Sequence, residues 1–313
     1  MDKLQMRNEA VRLLRSETPD AVKELLSIYI EFLLMVINKN HHDKIEVTGG
    51  NYAPIILQMI TTKLAHLNET IDGVDFNGVL KNKIIDLTVV ATISRSIFEM
   101  IGAFNLVFIT PKNYDEQKIM FNLWALSGLN YRQRFNNVAR TQDSKNKVID
   151  ELNQIEILTK EITETELFKQ LSEKNQSKIL SKIKAKDYKI IFETNNVAFL
   201  DWKDLIPVIG MKEDLMEHLY TYFSLYAHPS FVSVFQYGDM YKDDKSWIEL
   251  TIFNLKNVFF LVSSFIADYI KIFPNVLYTF ENLSLQKQIA IDWQNTFARG
   301  EAKSINNCIR KLD

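Results

Sequence analysis

Residues 87–109 read LTVVATISRSIFEMIGAFNLVFI, a run with no proline and with apolar side chains on most of its faces. A bilayer span needs roughly 20 largely apolar residues, and this stretch meets that length. Arg95 and Glu99 stand near its middle, however, where each charge costs about 2.5–3.5 kcal/mol on insertion scales. The stretch therefore predicts a buried core helix, from about Lys81 to Ile109 and ended by Pro111, and no membrane association.

The same pattern extends in both directions. The 313 residues hold only 9 glycines and 6 prolines, and apolar residues recur at three- and four-residue spacing, so long helices joined by short breaks are expected. An amphipathic first helix covers Met1 to Arg15, with no secretion signal. Thr18-Pro19-Asp20 starts a second, with a capping hydroxyl, proline at the first position and an acid in the first turn. Further helices are predicted over Tyr52 to Glu69, Tyr114 to Arg140, Lys212 to His228, Trp247 to Phe273, Leu285 to Arg299 and Lys303 to Lys311, with a short one before Pro207. Residues 141–190 are rich in Lys and Glu and place Val148, Leu152, Ile155, Leu158 and Ile162 on one seam, which predicts a protruding charged helical hairpin. Tyr188 to Glu193 reads as a short strand. The expected fold is all-α: one up-and-down multi-helix bundle over 1–313 with an inserted arm at 141–190, self-associating into a homo-oligomer through apolar helix faces.

Charge and cysteine usage narrow the function. A net charge of -2 gives no global pull toward polyanions, so binding one requires a local basic patch. Cys308 is the single cysteine, which excludes an intramolecular disulfide and a thiolate zinc cluster and fits a cytoplasmic protein. Neither a phosphate loop nor a dinucleotide fingerprint is present, and no cofactor is expected. Asp72 to Gly78 lacks the alternation of a calcium loop, and His41-His42 beside Asp43 reads as solvated loop, so no metal is assigned. Tyr131-Arg132-Gln133-Arg134 with Arg140 forms a basic-aromatic cluster of the kind that contacts RNA or phosphate, or an exposed helix face.

Two places carry candidate chemistry. In the core helix, Thr88, Thr92, Arg95, Glu99 and Gly102 fall on one stripe, and Arg95 reaches Glu99 at i,i+4. The pair reads either as a structural ion pair or as a guanidinium ready to hold an anion or a developing charge. In the second place, Glu217, Thr221, Ser224 and His228 share a helix face, with Tyr222 beside them and Ser230 just past Pro229. His228 at the helix end, where the dipole favours its protonated form, reads either as a capping residue or as a general acid or base. Arg95, Glu99 and His228 are thus the candidate catalytic residues, and Thr92, Tyr222, Ser224 and Ser230 the candidate substrate-binding ones.

Arg95-Ser96-Ile97-Phe98-Glu99, together with Trp202, Tyr220, Ser224, His228, Pro229 and Ser230, resembles a bacterial all-helical family without an assigned activity. That helical arrangement is distantly similar to HEPN proteins, many of which are metal-independent ribonucleases of toxin and phage-defence systems. The resemblance implies RNA as the substrate, an arginine and a histidine acting on its phosphate, and a partner protein as a further possible associate. In HEPN enzymes the arginine stands a turn or two before the histidine on one helix. Here Thr221, Tyr222 and Phe223 occupy that window, and Arg95, from another helix, is the substitute. The rival expectation is a non-catalytic sensor or scaffold in which the same residues only hold the core.

Overall fold

Thr18 has extended backbone and accepts a hydrogen bond from the Ala21 amide, with Pro19 and Asp20 opening the helix behind it, so the capping signal works as its residues dictate. In the computed structural model, which describes residues 3–75, 84–194, 196–239 and 244–307, most of the chain is helical. It opens with α1 (Lys3–Arg15), α2 (Pro19–Asn40), α3 (Ala53–Thr70) and α4 (Leu87–Phe104), the last continuing as a π-turn over Asn105–Ile109. There follow α5 (Tyr114–Arg132), a 3-10 stretch (Gln133–Val138), α6 (Gln142–Glu164), α7 (Glu166–Gln170) and α8 (Glu173–Ala185). Strands β1 (Ile190–Glu193) and β2 (Asn196–Phe199) form an antiparallel hairpin with Ile190 opposite Phe199. After a 3-10 turn at Trp202–Asp204 come α9 (Leu205–Ile209), α10 (Glu213–Met216), α11 (Leu219–Ala227), α12 (Phe231–Asp239), α13 (Asp244–Ile272), α14 (Val276–Glu281) and α15 (Leu285–Arg299). The fold is a multi-helix all-α bundle carrying one two-stranded hairpin.

Two compact units divide the chain, one of Met1–Ile45, Asn51–Ala103 and Trp202–Asp313, the other of Glu46–Gly50 and Phe104–Asp201. The segment 141–190 falls with α5 in the second unit.

In the first unit α13 packs along α15 and α2, and aromatic side chains fill the space between them. Tyr29 stacks on Phe259 at 5.3 Å, and its hydroxyl lies 2.6 Å from Ser263 Oγ, so the one polar atom of this buried ring has a partner. Phe32 meets Phe280 edge-on at 5.7 Å. Two described helices, Leu87–Ile109 and Ile248–Ile272, are long and apolar enough to cross a membrane, and most of each is buried within the protein. Gly102 of α4 admits Leu205: a Cβ there would sit 2.3 Å from Leu205 Cδ1 and 3.4 Å from its Cγ. Leu205 is fully buried, so Gly102→Val is expected to cost about 1–3 kcal/mol through overpacking, read as a lower melting temperature.

In the second unit α5 packs on α6. Leu158 and Ile162 of the predicted seam are buried, Val148 and Ile155 are half-buried, and Leu152 is 45% exposed. Gly49, at φ +71°, lets the backbone approach the Phe121 ring, where a Cβ would collide. Asp187, after α8, receives Lys182 and Lys189 at 2.6 Å each. Burial alone would raise its carboxyl, but these ammonium groups outweigh burial and hold it at about 2. Its folded value lies below the unfolded one, near 3.9, so the stabilisation is complete above about pH 4 and disappears as pH falls through 2. Acid titration across that window is expected to lower the melting temperature of the wild-type chain more than that of Asp187→Asn.

Several boundaries differ from expectation for identifiable reasons. α4 begins at Leu87 rather than Lys81: Ile84 pairs with Val74 in an isolated bridge, and Asp86 caps the helix by accepting from the Thr88 amide at 2.8 Å. Lys81 itself, the end of the Asp72 to Gly78 loop and Cys308 with the tail behind it lie outside the described residues. The helix expected from Lys212 to His228 is broken at Glu217 and His218 into α10 and α11. Pro207 lies inside α9 rather than after it, and α12 and α14 follow Pro229 and Pro274, where no helix was expected.

Candidate functional site

Arg95 projects from the middle of α4 one turn before Glu99, and its Nε donates to Glu99 Oε1 at 2.8 Å. Its other two nitrogens reach α11. Nη2 donates to the Tyr220 hydroxyl at 2.7 Å, and Nη1 lies 2.5 Å from His228 Nε2. One planar guanidinium thus holds a carboxylate, a phenol and an imidazole at once, a task that its fixed fork of donors suits and an ammonium does not.

Local sequence explains how α11 presents these groups. Tyr220, Ser224 and His228 are spaced by four and fall on one face. Pro229 excludes His228 from the helical region, so the helix stops there with His228 at φ -109° and ψ 153°. The following hydroxyl begins α12: Ser230 Oγ accepts from the Ser233 amide at 3.1 Å and donates to the Leu225 carbonyl at 2.8 Å. Tyr220 is fixed from both sides, stacked on Trp202 at 6.1 Å and inclined to Phe98 at 5.6 Å, and the Arg95 guanidinium carbon lies 5.0 Å from its ring centre.

A guanidinium has no acceptor, so the short contact makes His228 Nε2 the acceptor and places the ring proton on Nδ1. The Arg95 and Glu99 side chains are 21% and 30% exposed, and His228 is exposed, so the group is reached by water rather than sealed in packing.

The remaining candidates are placed otherwise. Thr92 is exposed and gives its hydroxyl to the Thr88 carbonyl, and Ser224 gives its own to the Tyr220 carbonyl. Tyr222 turns to α13, where Asn254 donates to its hydroxyl at 3.3 Å, Phe253 packs against its ring at 5.0 Å, and burial pushes its phenol up. Glu217 leaves the face because of the break before α11. The sequence left Tyr220 without a role, although its i,i+4,i+8 register with Ser224 and His228 was there to be read. In the second unit Arg134 lies 5.3 Å over the Tyr131 ring and Arg132 pairs with Glu151, so part of the basic-aromatic cluster is neutralised. The rings of His41 and His42 lie 3.7 Å apart, and among the described residues no three His, Cys, Asp or Glu side chains converge as a metal site would require.

No protein-family model, no curated protein and no solved structure matches the chain.

Proposed function

We propose that Arg95, Glu99, Tyr220 and His228 form the phosphate site of a HEPN-like, metal-independent ribonuclease of a bacterial defence or toxin system. The observation that supports this reading is the 2.5 Å approach of Arg95 Nη1 to His228 Nε2, which brings a guanidinium and an imidazole into one water-accessible cluster. Before RNA arrives, the guanidinium occupies the imidazole nitrogen that would act as base. A phosphate oxygen competes for Nη1 with a full negative charge, a stronger acceptor than a neutral ring. Its arrival frees Nε2 to take the 2'-hydroxyl proton. The 2'-oxygen then bonds to phosphorus, the bond from phosphorus to the 5'-oxygen breaks, and Arg95 steadies the charge on the phosphoryl oxygens. The leaving 5'-oxygen takes a proton from solvent, and His228 returns its own to solvent. Glu99 and Tyr220 position the guanidinium without touching the reacting atoms.

In this reading the chain works in the cytoplasm on RNA and self-associates. The exposed and mutually stacked Phe231 and Phe235 offer an apolar helix face for that association. One observation favours the rival, a non-catalytic sensor or scaffold: all three guanidinium nitrogens already have partners within the chain. An oligoribonucleotide incubated with the full chain in a chelator separates the two. The nuclease reading expects products ending in 2',3'-cyclic phosphate, none from a 2'-O-methyl substrate, and none from His228→Ala. Intact RNA under all conditions would leave only the structural role, and equal cutting of the 2'-O-methyl strand would rule out attack by the 2'-hydroxyl.

A further inference from the structure

Beside the cluster lies a cavity of about 310 Å³ lined by Tyr226, His228, Pro229, Tyr237, Thr88 and Ser233, among others. His228 is common to both: its ring accepts from Arg95, and the residue is one of those that line the cavity. From these observations we infer that the cavity seats the nucleobase of the nucleotide whose phosphate meets Arg95, so that the substrate is recognised by a flat heteroaromatic ring and an adjoining anion together. This inference rests on the phosphate reading above and deepens it.

The lining suits a base better than a second anion. Among the described residues the lining holds a proline, a valine and two tyrosines and no lysine or arginine. The hydroxyls in the wall are already engaged: Thr88 donates to Asp86 at 2.7 Å, and Ser233 donates to the carbonyls of His228 and Ser230 at 2.9 Å each. What remains is mainly stacking surface, which every base satisfies, so the cavity binds bases with little sequence preference. Charge sets the polarity of the ligand along α4. Asp86 stands at the Thr88 end and Arg95 lies seven residues on, about 10 Å of helix rise away, so the anionic end of the nucleotide is directed away from the carboxylate. The size agrees as well, because the volume lies at the small end of the roughly 300–1,000 Å³ range of ligand sites.

The test uses the full chain, three probes and two variants. The probes are inorganic phosphate, a 2'-O-methyl dinucleotide and the same dinucleotide with one abasic residue. Their binding is read from the His228 imidazole resonances. Val234 lines the cavity but is 61% exposed, so Val234→Trp fills the space with little threat to folding, and Tyr237→Ala removes a wall instead. Removing a stacking partner costs roughly five- to a hundredfold in affinity. The expected result is that the wild-type chain binds the base-bearing dinucleotide at least tenfold more tightly than the abasic one. Each variant then removes that advantage and leaves the response to phosphate unchanged. Equal affinity for the two dinucleotides, or variants that weaken phosphate and dinucleotide alike, overturns the base site while the phosphate site stands. Should none of the probes perturb His228, the phosphate reading fails and this inference with it.

Discussion

Arg299→Ala is expected to lower the stability of the first unit by about 3–5 kcal/mol, a fall in melting temperature on the order of 10 °C for a unit of this size. The Arg299 side chain is 3% exposed and that of Asp268 is 0% exposed. Nη2 of the arginine donates to Asp268 Oδ1 at 3.0 Å, and Nη1 donates to the Ser264 carbonyl at 3.0 Å, also lying 3.0 Å from Asp268 Oδ2. Without the guanidinium, a carboxylate remains buried between α13 and α15, with Lys271 at 2.7 Å still paired to it. That lysine is 48% exposed and replaces little of what is lost. Because the penalty comes from the stranded charge, Arg299→Met combined with Asp268→Asn is expected to recover much of the loss. A melting temperature for Arg299→Ala within about 2 °C of wild type would show that the pair contributes little.

If the proposed ribonuclease reading holds, Arg95→Ala is expected to lower RNA cleavage about a hundred- to a thousandfold, the usual consequence of removing one donor to a developing charge. Its effect on folding is expected to be small, about 1–2 kcal/mol, because the side chain is partly open to water and its partners are left facing solvent rather than buried. Arg95→Lys discriminates further. It keeps the charge but has no planar fork, so it cannot hold Glu99, Tyr220 and His228 together, and most of the activity is expected to be lost. Both variants are measured by initial cleavage rate beside a thermal melt. Loss of activity in proportion to unfolded protein would assign the cluster a structural role.

The contrast between these two arginines illustrates what a sequence displays. The Arg95–Glu99 pair was legible because two charges four residues apart on an otherwise apolar helix must meet, whatever the rest of the chain does. The Thr18-Pro19-Asp20 start and the strand at Ile190–Glu193 were legible for the same reason, being fixed by neighbouring residues. His228 could be nominated from its place before Pro229, but the partner of its ring stands 133 positions away, and no local period encodes such a contact. The Arg299–Asp268 pair escaped notice because each residue is an ordinary polar member of its own helix until α13 and α15 are packed. The break at Glu217 and His218 was hidden by a continuous helical rhythm. It puts Glu217 in the turn before α11, outside the helix that carries Tyr220 and Ser224. The cavity beside His228 was not legible at all, since α12 supplies several of its walls and begins at Phe231, two residues after the Pro229 that was expected only to end a helix.

The proton on His228 tests the central claim most directly. Nitrogen-15 NMR of the histidine side chains, with the His228 signals assigned by their loss in His228→Ala, reports which ring nitrogen carries it. The account predicts Nδ1–H with Nε2 accepting in the free protein, a change of environment at Nε2 when an uncleavable 2'-O-methyl oligonucleotide is added, and no such acceptor signature in Arg95→Ala. A proton on Nε2 in the free protein, or resonances indifferent both to the oligonucleotide and to the loss of Arg95, would contradict it.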